Sequence, residues 1–199
     1  INNKLSVDEV CRNYQIFGAS GLSVLTNLKY FGGSLEDLAL ARSSCTLPIL
    51  RKDFIIDEYQ IYEAKAYGAD IILLISSILT RDEIVNLSKK AKELKLEVLL
   101  EVHNREELKK GMVECIDIIG VNNRNLKSFK TDLKISENLI DEIPNEFLKI
   151  SESGLNNNSS IKKLMKVGYE GFLIGEKFMI SNNPGKELKK TLKNLTHED

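Results

Sequence analysis

The 199-residue sequence has no tryptophan, three prolines, three cysteines and two histidines, and neither sign of charge predominates. Each shortage excludes something. Cys11, Cys45 and Cys115 are odd in number, widely spaced and without a Cys-x-x-Cys pair. Neither a disulfide framework nor a thiolate metal site is therefore expected, and the thiols read as reduced. His103 and His197 are the only histidines, and neither stands in metal-ligand spacing. Lys and Arg total 28 against 29 for Asp and Glu, with no long basic block, which leaves nucleic-acid binding without electrostatic support. No apolar run reaches the ~18 residues of a membrane span, and no signal peptide is visible. A cytoplasmic protein without membrane or nucleic-acid partners is expected. An initiator methionine is lacking too: the chain opens Ile1-Asn2-Asn3, which reads as a cut or incompletely recorded N-terminus.

What is present is the composition of a globular protein, 42% hydrophobic and 29% charged, with a length that suits one α/β domain over 1–199. Short apolar runs alternate with amphipathic stretches. An opening helix spans about Leu5 to Phe17, with Ser6 and Glu9 as its capping box. Apolar runs then begin near residues 21, 48, 70, 97, 116, 147 and 171. Their spacing of roughly 25 residues suits a βα unit. Ser34 with Asp37, Asp57, Thr80 with Glu83, and Asn104 read as helix N-caps between them. The runs are continuously apolar, as parallel strands covered on both faces must be. Two architectures remain open at this point. Seven strands are one short of a (β/α)8 barrel and many for a doubly wound sheet.

The stretch from Pro48 to Asp57 reads as a buried strand, a charged strand-end loop at Arg51-Lys52-Asp53, and a helix capped by Asp57. In a barrel every strand's carboxyl end opens on one mouth. Those ends read Thr26, Lys52, Ile75, Glu101, Asn122 with Arg124, Ser153 and Gly175. Singly, each has an ordinary reading: a solvated loop at Lys52, a strand-end ion pair at Glu101, a loop cap at Asn122, a plain turn at Ser153-Gly154. Jointly they place an ammonium, a carboxylate, an amide and a guanidinium around one rim, where polar groups ending apolar strands need partners or a ligand. Two glycine loops, Ser151-Glu152-Ser153-Gly154 and Ile174-Gly175-Glu176, follow the last two strands. Their backbone permits close approach, and N–H groups at the next helix ends can hold a phosphate.

With these residues in place, the chain resembles the indole-3-glycerol phosphate synthase family. The stretches that carry the resemblance run in family order over about 21 to 180. They include Gly21 to Thr26 with Tyr30-Phe31-Gly32-Gly33-Ser34, Leu50 to Asp57 with Gln60, Gly68-Ala69-Asp70 through Ile75, and Glu101-Val102-His103. Ile119 to Leu126, Ser151 to Gly154 and Gly171 to Glu176 complete them. Arg51-Lys52-Asp53-Phe54 and Asn122-Asn123-Arg124-Asn125-Leu126 are the most specific.

The resemblance implies a (β/α)8 TIM barrel. It also implies an enzyme that closes the pyrrole ring of indole on carboxyphenylamino-deoxyribulose 5-phosphate, releasing CO2 and water without a metal or organic cofactor. On the same basis Lys52 is the general acid that protonates the departing hydroxyl or polarises the ketone. Glu101 handles protons on the anilino nitrogen and ring carbon, and Asn122 orients it. Arg124 and Ser153 line the substrate, Phe31, Phe54, Leu73 and Leu126 wall its aromatic ring, and Gly154, Gly175 and the backbone of Glu176 hold its phosphate. The family also has an earlier segment, with a first strand that carries a Glu and a second catalytic Lys, a phosphate-binding loop and an extra N-terminal helix. None of these has a counterpart in this sequence. An inactive phosphate-binding fragment or scaffold is the alternative this raises, and a complete chain is expected to be monomeric.

Overall fold

The computed structural model describes residues 5–196; Ile1 to Asn3 and His197, singled out above, lie outside the described residues. Seven strands form one sheet: β1 (Leu22–Leu25), β2 (Ile49–Lys52), β3 (Ile71–Ile75), β4 (Glu97–Val102), β5 (Ile118–Asn122), β6 (Leu148–Glu152) and β7 (Gly171–Leu173). Every neighbouring pair is parallel, and the strand order follows the chain order from β1 to β7. A doubly wound sheet reverses its order at a switch point. This one never does, so it winds in one sense as a (β/α)8 barrel does, with β1 and β7 at its two ends among the described residues.

The outer layer is α1 (Val7–Ile16), α2 (Leu28–Phe31), α3 (Leu35–Ser44), α4 (Glu58–Ala66), α5 (Arg81–Glu93), α6 (Arg105–Gly111), α7 (Lys134–Leu139), α8 (Asn158–Val167), α9 (Glu176–Met179) and α10 (Pro184–Thr196). Ser34, Asp57 and Thr80 close capping boxes with Asp37, Gln60 and Glu83, each satisfying amides that a helix start leaves open. The expected box at Ser6 is not formed: its hydroxyl donates to Asp8 instead of accepting from the helix. Between β1 and α3 the chain makes a helical turn, α2, capped by Asn27. The sheet curls far enough for α1 to pack on both α3 and α10. Beside that junction the Tyr14 ring of α1 and the Phe178 ring of α9 meet edge to face at 6.2 Å.

Alternation along each strand divides the core in two. One set of side chains, including Ile49, Ile72, Leu74, Val98, Leu100, Ile119 and Val121, packs outward against Leu38, Ile61, Ile84 and Leu108 of the helices. Each such side chain, fully buried, contributes about 1.5–3 kcal/mol. The other set, Leu50, Leu73, Ile75, Leu99 and Ile118 with Ile71, Ile150 and Leu173 against it, fills the concave inner face. Lys52, Glu101 and Glu152 have the same parity as this inner set and lie one step further along their strands, and Asn122 lies two steps beyond Ile118. The apolar layer is therefore the floor beneath them.

Candidate active site

Two strands run further than their apolar cores imply. β2 continues through Arg51 to Lys52, and β6 through Ser151 to Glu152, where loops were expected. Each extension adds one inward charged side chain. Lys52 Nζ lies 3.1 Å from Glu101 Oε2 and 3.0 Å from Glu152 Oε2, and Asn122 Nδ2 donates to Glu101 Oε1 at 3.0 Å. The structure thus brings together Lys52, Glu101 and Asn122, singled out from the sequence, and adds Glu152. The signal for Glu152 was strand parity: it stands two residues after Ile150 and faces the same way.

Space for the Glu152 carboxyl comes from Gly120. A Cβ at that position would stand 2.3 Å from Glu152 Oε1 and 2.9 Å from Leu99 Cδ2, so no larger residue fits without moving them. Glu101 and Glu152 are almost fully buried, and Glu152 Oε1 has no hydrogen-bond partner among the described residues. Burial raises the Glu152 carboxyl above the ordinary glutamate value; the Lys52 charge opposes this and the Glu101 charge adds to it. Burial alone would lower the Lys52 ammonium, but Glu152 and then Glu101 outweigh it and hold it protonated well above the ordinary lysine value. A donor that keeps its proton stands between two carboxylates, one of which is biased toward taking a proton up. Such a group can deliver and receive protons at one point.

The rim around this centre is mixed. Asn122 Oδ1 accepts from the Arg124 main chain at 2.9 Å, and the Arg124 guanidinium reaches Glu176 Oε2 at 2.6 Å, which ties the loop after β5 to the start of α9. β6 and β7 are neighbours, so the loops at Gly154 and Gly175 lie side by side. Ser153 and Gly154 are both left-handed, with φ of 65° and 74°, a turn that a side chain at Gly154 would strain. On the far side Phe31 stacks on Phe54, with centroids at 5.6 Å and planes at 20°, and Tyr30 meets Phe54 edge-on at 5.5 Å. Phe31 is 46% exposed, leaving an open aromatic face.

Some expected members stand elsewhere. Leu73 is sealed in the floor rather than in a wall, because it precedes the strand end by two residues. Leu126, in the loop after β5, is exposed and joins neither apolar cluster among the described residues. Thr26 turns away from the mouth and donates to Asp53 Oδ2 at 2.6 Å. Surface depressions lined by Asp141, Lys149 and Glu170, and by Met112, Ile116 and Phe147, lie at the opposite end, where helices lead into strands. They hold none of these groups.

A family model described as indole-3-glycerol phosphate synthase matches residues 1–191. An indole-3-glycerol phosphate synthase of Bacteroides thetaiotaomicron is 47% identical over 193 residues, covering 97% of this chain and 74% of its own. One from Campylobacter jejuni subsp. jejuni is 46% identical over 92% of this chain and 71% of its own. One from Legionella pneumophila is 44% identical over 96% and 74%. A crystal structure of KGPDC from Streptococcus mutans superposes with a TM-score of 0.69 over 96% of this chain and 92% of that one. At 16% identity it shares the fold alone.

Proposed function

This chain belongs to the indole-3-glycerol phosphate synthase family, and we propose that it acts as the carboxy-lyase of tryptophan biosynthesis through the cluster at Lys52, Glu101 and Asn122. Its substrate is a small phosphorylated molecule, carboxyphenylamino-deoxyribulose 5-phosphate, which closes to indole-3-glycerol phosphate with loss of CO2 and water. The observation that carries this reading is the hydrogen-bonded chain Lys52–Glu101–Asn122 at the carboxyl ends of β2, β4 and β5.

In this reading Lys52 gives its proton to the departing oxygen, and the bias of its environment toward the charged form keeps that proton available until the oxygen develops charge. Glu101 takes protons from the anilino nitrogen and ring carbon, held in place by the Asn122 amide, which can only donate to it through Nδ2. Glu152 shares the Lys52 ammonium with Glu101 and is a second place for a proton. Phe31 and Phe54 offer an aromatic face to the anilino ring, with Leu73 beneath and Leu126 at the rim. Arg124 and Ser153 contact the substrate's polar groups, and the loops at Gly154, Gly175 and Glu176 take the phosphate through main-chain N–H groups. An acid and a base so placed supply about 10²–10⁴-fold each. Among the described residues no helix is long and apolar enough to cross a membrane, and a cytoplasmic site of action fits the chemistry. The competing reading, a phosphate-binding scaffold, is not favoured, since the relatives named above carry the synthase name.

The test is Glu101→Gln in the full-length protein, which keeps size and hydrogen bonding and removes the base. Its kcat is expected to fall at least ~10²-fold with KM little changed. Near-normal turnover would reject the assignment.

A further inference from the structure

His103 follows β4 by one residue and shares the parity of Leu99 and Glu101, which directs its ring to the inner face. The ring is held from behind. Nδ1 lies 3.0 Å from Glu107 Oε2, and the His103 main-chain N–H donates to the same oxygen at 2.8 Å. Glu107 is itself fixed at the start of α6: its N–H donates to Asn104 Oδ1 at 2.9 Å, and Asn104 Nδ2 donates to Glu107 Oε1 at 2.8 Å. An ionised carboxylate only accepts, so the Nδ1 facing it carries the proton. The front of the ring then decides the matter. Nε2 is buried, has no hydrogen-bond partner among the described residues and stands 3.5 Å from Glu101 Oε1. A bare Nε2 would set its lone pair against a carboxylate; an Nε2–H turns the same contact into attraction.

We propose that His103 is the positioning residue of Glu101: clamped by Glu107, its imidazolium aims Nε2–H at Glu101 Oε1 and, with Asn122, fixes the orientation of that carboxylate before substrate arrives. The groups that face the pair agree in charge. Lys52 from β2 and the imidazolium face the carboxylates of Glu101 on β4, Glu107 on α6 and Glu152 on β6. Burial would lower the pKa of the ring, but the hydrogen bond to Glu107 and the charges of Glu101, Glu107 and Glu152 hold it above the ordinary 6.5. The imidazolium is therefore present below that raised value and is lost as pH climbs through it.

This proposal rests on the assignment of Glu101 as the base, and the experiment separates the two. The His103 ring is titrated by NMR in the full-length protein without substrate, its signal assigned by its loss in His103→Gln. A midpoint above 6.5 that falls in Glu101→Gln, and independently in Glu107→Gln, is expected. The wild-type kcat/KM should show an alkaline inflection at the same midpoint. His103→Gln should lack that inflection and lose kcat by up to about a hundredfold, the scale of a misplaced reacting group. A ring that titrates at or below its ordinary value, or a midpoint that Glu101→Gln leaves unmoved, overturns the proposal. Normal turnover in Glu101→Gln would overturn the assignment of the base, while the substrate-free titration still decides whether ring and carboxylate are coupled.

Discussion

Strand β2 carries two adjacent cations that end in opposite worlds. Arg51 faces outward, 3% exposed, into the layer between sheet and helices. Its guanidinium donates to Thr26 Oγ1 at 3.1 Å, to the Gln60 carbonyl at 2.6 Å and to Glu63 Oε2 at 3.2 Å, and reaches Asp53 Oδ2 at 3.4 Å. Asp53 in turn receives Thr26, Asn27 and the Phe54 main chain. Lys52, one residue on, faces inward to a cluster in which Glu152 Oε1 and His103 Nε2 are buried without hydrogen-bond partners among the described residues. Both clusters are charged and sunk beneath the surface. The outer one has its groups paired and locks β2 to α4 and the end of β1. The inner one leaves valences open above an apolar floor. Unpaired buried polar atoms cost stability, and a fold keeps them where a ligand or a moving proton completes them.

The contrast can be broken most sharply from the outer side. Arg51→Met strands the buried Asp53 carboxylate and unpairs the half-buried Glu63, and should lower the unfolding free energy by about 3–5 kcal/mol, as loss of one partner of a buried pair does. Urea titration reads this. If the outer cluster is purely structural, kcat per folded molecule stays near the wild-type value. Gly120→Ala puts a methyl group against Glu152 and Leu99; overpacking of this kind costs about 1–3 kcal/mol, and turnover should drop with it because the Glu152 carboxyl must move. Unchanged stability and turnover would mean that the inner face is looser than its packing implies.

Glu152→Gln should have a smaller effect, of opposite sign on stability. It removes a carboxyl disfavoured by burial, so the protein should be unchanged or more stable by up to about 1 kcal/mol, while turnover falls roughly tenfold or more, the stability–activity trade-off expected of a functional site. A variant that loses stability and keeps full turnover would place Glu152 with Arg51 as a structural group. The smallest effect is a pH dependence. Burial would raise the Asp53 carboxyl, but the hydrogen bonds from Thr26, Asn27 and Phe54 and the Arg51 charge hold it below its ordinary 3.8. Its contribution is complete above that unfolded value and is lost as pH falls through the depressed folded one. Asp53→Asn should therefore narrow the stability gap to wild type on acidification below about pH 4, as read by urea midpoints at each pH.

The apolar runs, their roughly 25-residue spacing and the caps at Ser34, Asp57 and Thr80 were legible in the chain because they depend on local periodicity and on side chains reaching amides a few residues away. So were Lys52, Glu101 and Asn122, which end those runs. Glu152 escaped because a polar residue after a short apolar run looks like loop; pairing to both neighbours, with Asn122 of β5 and Leu173 of β7 opposite Glu152, keeps it in the strand. The fates of Arg51 and Thr26 escaped for the same reason, since the side to which a charged strand-end residue turns depends on register.

The sequence by itself determined that strands and helices alternate, which residues close the strands, and which family the chain resembles. Tertiary structure alone decided which of those polar groups meet. Register assigns Arg51 to the helices and Lys52 to the mouth, and a slip of one residue would exchange them. The curl of the sheet brings Lys52 within hydrogen-bonding distance of Glu101, two strands away, and of Glu152, four strands away. The missing side chain at Gly120 makes the room that Glu152 occupies. Side-chain parity is local and can be read along the chain; the distance across a curved sheet is not.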